Sequence, residues 1–99
     1  SQEVDTFVLV FDFGNGEITS STLNYETGQS LLEALRKTSL QIKTENYPLL
    51  GAIVKNINGF ENNTDGKYWQ YWINGRYAEI GISSYIIKPS DLIEWKFIK

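Results

Sequence analysis

The 99-residue chain has no cysteine, no histidine, no methionine and only 2 prolines. Without cysteine it forms no disulfide, no thiolate zinc or iron–sulfur site and no cysteine nucleophile. Without histidine it lacks the commonest general base, the usual soft-metal ligand and the imidazole of a nucleophile triad. Basic residues are few: 9 Lys plus Arg stand against 12 Asp plus Glu, for a net charge of −3. The basic footprint of a nucleic-acid or anionic-lipid binder is therefore missing. No apolar run approaches the ~20 residues of a membrane helix, and no N-terminal signal pattern is present. Opening on Ser1 rather than Met, the chain is expected to be a processed or excised piece. The absence of cysteine leaves the compartment open.

What the chain does have is rings: 6 Tyr, 5 Phe and 3 Trp in an otherwise ordinary composition of 41% hydrophobic and 21% charged residues. Each ring buries a large apolar area on few rotatable bonds, so even a small core is well filled. Length and composition together predict one globular domain over 1–99.

Apolar residues at period two run from Phe7 to Phe13 on one face, with Val8 and Val10 on the other. This predicts a central strand buried on both sides, turned at Asn15-Gly16 into a Thr- and Ser-rich return strand from Ile18 to Tyr25. Ser30 followed by Glu33 is a capping box opening a short helix whose Leu31, Leu32 and Leu35 need a sheet to cover them. Beyond the Pro48 break, Ala52–Ile57 is a strand and Phe60–Lys67 a polar loop. Tyr68–Ile73 is an aromatic strand, Asn74-Gly75 a tight hairpin turn, and Arg76–Ile80 its return. Gly81 permits a bend, Tyr85–Ile87 is a short strand, and Leu92–Ile98 closes the chain. A hairpin, one helix and then strands is the order of an α+β fold. The expected architecture is a β-grasp-like mixed sheet wrapped around one short helix, with first and last strands paired.

Three polar groupings offer chemistry. Oxygen side chains at alternate positions in Glu61-Asn62-Asn63-Thr64-Asp65-Gly66 have the opening of a calcium loop. The twelfth position, however, is Trp72, which cannot ligate, and an Asx-rich turn accounts for the composition. Asn62-Asn63-Thr64 is also a glycosylation sequon, relevant only in a secreted eukaryotic protein. Asp91 and Glu94 point to opposite faces as strand residues and make no acid–base pair, so both are expected to be solvated strand ends. With no nucleophile–base pair in view, an enzyme is not expected.

The aromatic cluster is the stronger signal. Along its strand, Tyr68, Gln70 and Trp72 face one way and Trp69, Tyr71 and Ile73 the other. A helix covers one face only, so one trio should be open to a partner, unless the rings simply pack the sheet. Tyr68, Trp69, Trp72, Arg76, Tyr77 and Tyr85 are the candidate ligand contacts, with the Arg76 fork available to a carboxylate, amide or phosphate.

Several of these residues recur as a set. Ile57-Asn58-Gly59-Phe60, Tyr68-Trp69-Gln70-Tyr71-Trp72-Ile73-Asn74-Gly75, Gly81-Ile82, Ser84-Tyr85, and Asp91 before Trp95 resemble the transcobalamin C-terminal-like domain family. The helix start at Ser30–Leu35 fits the same pattern, so the likeness covers nearly the whole chain. One departure is Ser90, where the family often carries Gly. The resemblance implies a β-grasp-like fold. It also implies an exported or cell-surface, non-catalytic module capping a flat ligand, namely a corrinoid such as cobalamin, beside another domain. No covalently bound cofactor is implied. The alternative is a structural or adhesive spacer of a cell-surface protein with no small-molecule ligand. Without a second domain to complete the site, binding by this chain alone should be weak.

Overall fold

The computed structural model describes residues 4–99; Ser1 lies outside them. Two sheets and one helix share a single apolar core. The first hairpin is β1 (Thr6–Asp12) and β2 (Ile18–Asn24), paired antiparallel. β1 alternates as its sequence requires, with Phe7, Leu9 and Phe11 inward and buried. Val8 and Val10 are only half-buried, so β1 is central but covered on one face, not two. The hairpin turn differs from the Asn-Gly expectation: Gly14 and Gly16 take the positive φ angles of 75° and 93°. A Cβ on Gly14 would lie 2.6 Å from the Phe97 carbonyl oxygen, so the chain crosses there at a distance only glycine allows.

Helix α1 covers just Leu31–Leu35. Both halves of its capping box form: Ser30 Oγ accepts from the Glu33 N–H at 3.1 Å, and Glu33 Oε1 accepts from the Ser30 N–H at 3.2 Å. The Ser30 N–H and then the Ser30 hydroxyl, both donating to Glu33 Oε1, hold the Glu33 carboxyl below its ordinary pKa. Leu31, Ala34 and Leu35 are buried against the sheet, as a helix too short to stand alone requires.

The remaining strands divide. β3 (Ile42–Tyr47), β4 (Gly51–Ile57) and β5 (Phe60–Glu61) form a three-stranded antiparallel sheet. β6 (Tyr68–Ile73), β7 (Arg76–Tyr77) and β8 (Leu92–Ile98) complete a five-stranded sheet in the order β2-β1-β8-β6-β7. β1 and β8 pair parallel and their neighbours antiparallel, so the sheet is mixed and the fold is α+β. The expected single sheet is thus two. β3 has no counterpart among the expected elements, and Phe60–Lys67 is not simply a polar loop, because β5 opens it. The return strand stops at Tyr77. Tyr85–Ile87 contributes one isolated bridge, between Ser30 and Ile86, in place of a strand.

Aromatic rings fasten the small sheet to the large one. Phe60 of β5 lies 5.0 Å from Phe13 and 5.8 Å from Phe97 between ring centres. Trp69 closes the cluster at 5.4 Å from Phe13 and 5.1 Å from Phe97. Tilted and edge-on rings at these separations add to the stabilisation given by their buried area. Asn62 completes the junction: its amide nitrogen donates to the Val54 carbonyl at 2.9 Å and its oxygen accepts from the Trp69 N–H at 2.9 Å. The side chain offered above as a calcium ligand or glycan acceptor is therefore engaged inside the fold.

Candidate functional site

The inner face of the large sheet is continuous through Leu9, Ile93, Trp95, Tyr71 and Trp69, and it is roofed by α1 and the small sheet only in part. After β7 the chain runs across the remaining opening. Ala78 N–H donates to the Tyr71 carbonyl at 2.9 Å, and the Tyr71 hydroxyl donates to the Ile80 carbonyl. These bonds pin Ala78–Ile80 as a ridge over the sheet. Burial pushes the Tyr71 hydroxyl up to a pKa of about 12, with the Tyr77 hydroxyl adding to the shift.

On one side of the ridge is a concavity of about 400 Å³ floored by Trp69, Tyr71 and Trp95, with Leu50 and Ile82 on its walls. The Tyr71 and Trp95 rings are stacked with centres 4.4 Å apart. On the other side is a wider recess of about 750 Å³ bordered by Ile73, Arg76, Tyr85 and Lys88. Tyr77, Ala78, Glu79 and Ile80 line both. Tyr77 is 54% exposed, and Ile80, Leu50 and the fully exposed Leu49 are further apolar side chains in water around this opening. Leu49 holds a φ of 70°, a left-handed conformation uncommon for leucine, at the turn between β3 and β4. Gly81 brings the ridge against that turn: a Cβ there would lie 3.1 Å from the Leu50 carbonyl oxygen.

The base of the ridge is anchored on the helix. Ile82 and Tyr85 offer their carbonyls to the first free N–H groups of α1, at 3.0 Å from Leu32 and 2.9 Å from Leu31. Ser84 and Tyr85 donate back to the Gly81 carbonyl. Five of the ten backbone N–H and C=O groups of 81–85 are therefore committed inside the fold.

A buried carboxylate fixes the opposite end. Asp91 is 3% exposed, not a solvated strand end. It accepts from Asn74 Nδ2 at 2.9 Å, from the Tyr85 hydroxyl at 2.6 Å and from the Lys88 N–H at 2.9 Å. The Asn74 oxygen in turn accepts from the Leu92 N–H at 2.8 Å. Burial, then the bond to Asp91, raises the Tyr85 hydroxyl pKa well above that of free tyrosine. The spacing of Asn74, Tyr85 and Asp91 is thus a framework joining hairpin, loop and last strand.

The six candidate contacts separate into groups. Arg76, Tyr77 and Tyr85 converge on the wider recess, although the Tyr85 hydroxyl is taken by Asp91. Trp69 is 7% exposed at the floor of the smaller concavity, and its Nε1 donates to the Phe60 carbonyl at 2.8 Å. Tyr68 and Trp72 lie on the opposite, outer face of the sheet. There Trp72 is flanked by Tyr77 edge-on at 5.4 Å and by the Lys96 ammonium 4.8 Å over its ring. Sequence reasoning missed Leu49, Leu50 and Ile80, whose only signal is apolar character in segments that form no long strand. Among the described residues, no group of three or more acidic side chains is placed to hold a metal ion.

The profile of the family described as Domain of unknown function (DUF4430) matches residues 28–99, and the chain belongs to that family. No curated protein matches the sequence. Among solved structures, a proposed metal-binding protein from Ruminococcus gnavus ATCC 29149 superposes with a TM-score of 0.76 at 13% identity, covering 96% of this chain and 97% of that one. Haptocorrin, solved in complex with Cbi, superposes with a TM-score of 0.76 at 18% identity. That match covers all of this chain and 26% of haptocorrin. At 18% identity the haptocorrin match shows a shared fold, in keeping with the resemblance to transcobalamin C-terminal-like domains, and the chain spans about a quarter of the length of haptocorrin.

Proposed function

We propose that this DUF4430 domain is a non-catalytic binding module of an exported or cell-surface protein. In this reading it caps a flat ligand, a corrinoid, together with a neighbouring domain. The observation that carries the reading is the ridge Ala78–Ile80, which leaves Ile80 in water beside the exposed Tyr77 and is flanked by two recesses, the smaller with an aromatic floor. A ridge of this kind gains by covering a broad apolar surface: burial and ring contacts supply affinity, and a few polar groups supply orientation. Arg76 and Lys88 are the cations at the rim, and Glu79 is the acid. The complex named for haptocorrin supports a corrinoid as the ligand class. Architecturally, the arrangement is read as β-grasp-like, the mixed sheet curving over α1 and the small sheet closing one side. The match to a quarter of haptocorrin supports a place beside other domains. A lone cap bears the full entropic cost of association with half of the contacts, so its affinity is weak.

Titration with cobinamide, followed by tryptophan fluorescence, tests this. Saturable quenching is expected, weakened about tenfold by Ile80→Ala, a loss of ~1.4 kcal/mol, with the unfolding midpoint unchanged because the Ile80 side chain is exposed. Fluorescence that does not respond up to ~1 mM cobinamide removes the corrinoid and favours the alternative of a structural or adhesive spacer.

A further inference from the structure

The two sheets have four edges, and three are guarded. β5 and β7 are two residues each, too short to template another strand. β3 carries Lys43 and Glu45 and an irregularity between Lys43 and Thr44. The fourth edge is β2, whose seven residues Ile18-Thr-Ser-Ser-Thr-Leu-Asn24 contain no charge and no proline, in a regular ladder with β1. Among the described residues, no strand pairs with its outer side. Long, regular, uncharged edges recruit strands.

The hydrogen bonds at the two ends of the hairpin show which groups are free. Phe13 N–H donates to the Glu17 carbonyl at 3.0 Å, and Tyr25 N–H donates to the Asp5 carbonyl at 2.8 Å. In an unbroken antiparallel ladder, bonded and non-bonded pairs alternate. The odd residues of β2 therefore bond to β1. Ile18, Ser20, Thr22 and Asn24 turn their N–H and C=O groups outward.

We propose that β2 is a self-association edge. Two copies pair antiparallel through it about a two-fold axis at Ser21, joining two five-stranded sheets into one. In this register Ser20 meets the partner copy's Thr22 and Ile18 meets its Asn24. These four residues on each strand are the ones with free groups, and each gives one bond and takes one, so the two strands exchange eight. Shifting the register by two residues leaves an end residue unpaired. Shifting it by one sets free groups against occupied ones. The side chains agree with the central register. Ser21 meets itself at the closely spaced non-bonded position, where a small side chain fits. Thr19 meets Leu23, and beyond the strand Glu17 meets Tyr25 and no like charge. The isologous pairing closes at two copies and consumes the open edge.

The test is the mass in solution of the 99-residue chain, by sedimentation equilibrium from micromolar to ~1 mM protein, the range suited to a small, polar interface. The expected result is a concentration-dependent dimer of twice 11.3 kDa. The double variant Ser20→Lys, Thr22→Lys sets lysine against lysine on the exposed face and should stay monomeric. Ser20→Glu, Thr22→Glu should do likewise, and mixing the two variants should restore the dimer. Unchanged unfolding midpoints of the separate variants show that their folds are intact. A wild-type chain that is monomeric throughout overturns the proposal and leaves β2 to an extended segment of another protein. A dimer that survives the lysine pair also overturns it, because the interface then lies elsewhere.

Discussion

Asp91 shows how much one side chain holds in this domain. It is the common acceptor for a hairpin amide, a tyrosine hydroxyl and a backbone N–H. Asp91→Ala leaves all three partly buried donors without it, and we expect a loss of about 3 kcal/mol. Thermal unfolding checks this as a drop of roughly 15 °C for a domain of this size. The two buried indoles make a sharper contrast. Trp69 Nε1 has the Phe60 carbonyl as acceptor, whereas Trp95 Nε1 has no acceptor among the described residues. Trp69→Phe should therefore cost about 1 kcal/mol more than Trp95→Phe in urea unfolding, since only the former breaks a bond and strands a carbonyl. Tyrosine ionisation supplies a pH signature. Tyr71 and Tyr85 titrate above the ordinary value of 10.0 because folding buries their neutral forms. Stability from these groups is complete below pH 10, where both folded and unfolded tyrosines are protonated. It is lost as pH rises further, since the unfolded chain ionises first. The unfolding midpoint should accordingly fall as pH climbs from 10 toward 12, and Tyr71→Phe should blunt the fall. From the sequence, Asn74, Tyr85 and Asp91 are legible as a recurring spacing. Their role is not, because the carboxylate is buried only when three distant turns meet.

Elements repeat the lesson in another form. The capping box, the period-two alternation of β1 and β8, and the Asn74-Gly75 turn are local properties, and each stands where the residues place it. Ser30→Ala should cost about 1 kcal/mol by removing the Oγ acceptor of the Glu33 N–H. A parallel loss of far-UV helical signal is not expected from a five-residue helix, so the unfolding midpoint is the readout. β3 escapes a local reading because Lys43, Glu45 and Asn46 interrupt its apolar residues, and only β4 makes it a strand. The return from Asn74-Gly75 has the opposite history. Its residues suit a strand, but Tyr71 captures Ala78 and Ile80 and turns the segment into the ridge. That capture is a tertiary event, and the residues Ala78–Ile80 carry no local signal of it.

For the molecule as a whole, a single core is the decisive feature. Buried residues of β1, α1, β4, β6 and β8 form one cluster, with the Phe13, Phe60, Trp69 and Phe97 rings bridging the two sheets. Neither sheet has a core of its own, so urea transitions followed by fluorescence and by circular dichroism should coincide. Two separate transitions would show that the small sheet folds independently. The ridge borrows its rigidity from this shared core, and its exposed apolar side chains are the surface on which the proposed recognition rests. Amide spectra of the isotopically labelled chain, recorded as cobinamide is added, address that surface most directly. The binding account requires contiguous, saturable shifts over residues 76–80 together with Tyr85 and the Trp69 indole, while β2 stays still. Spectra that remain superimposable, or shifts gathered on the far face around Tyr68, would contradict it.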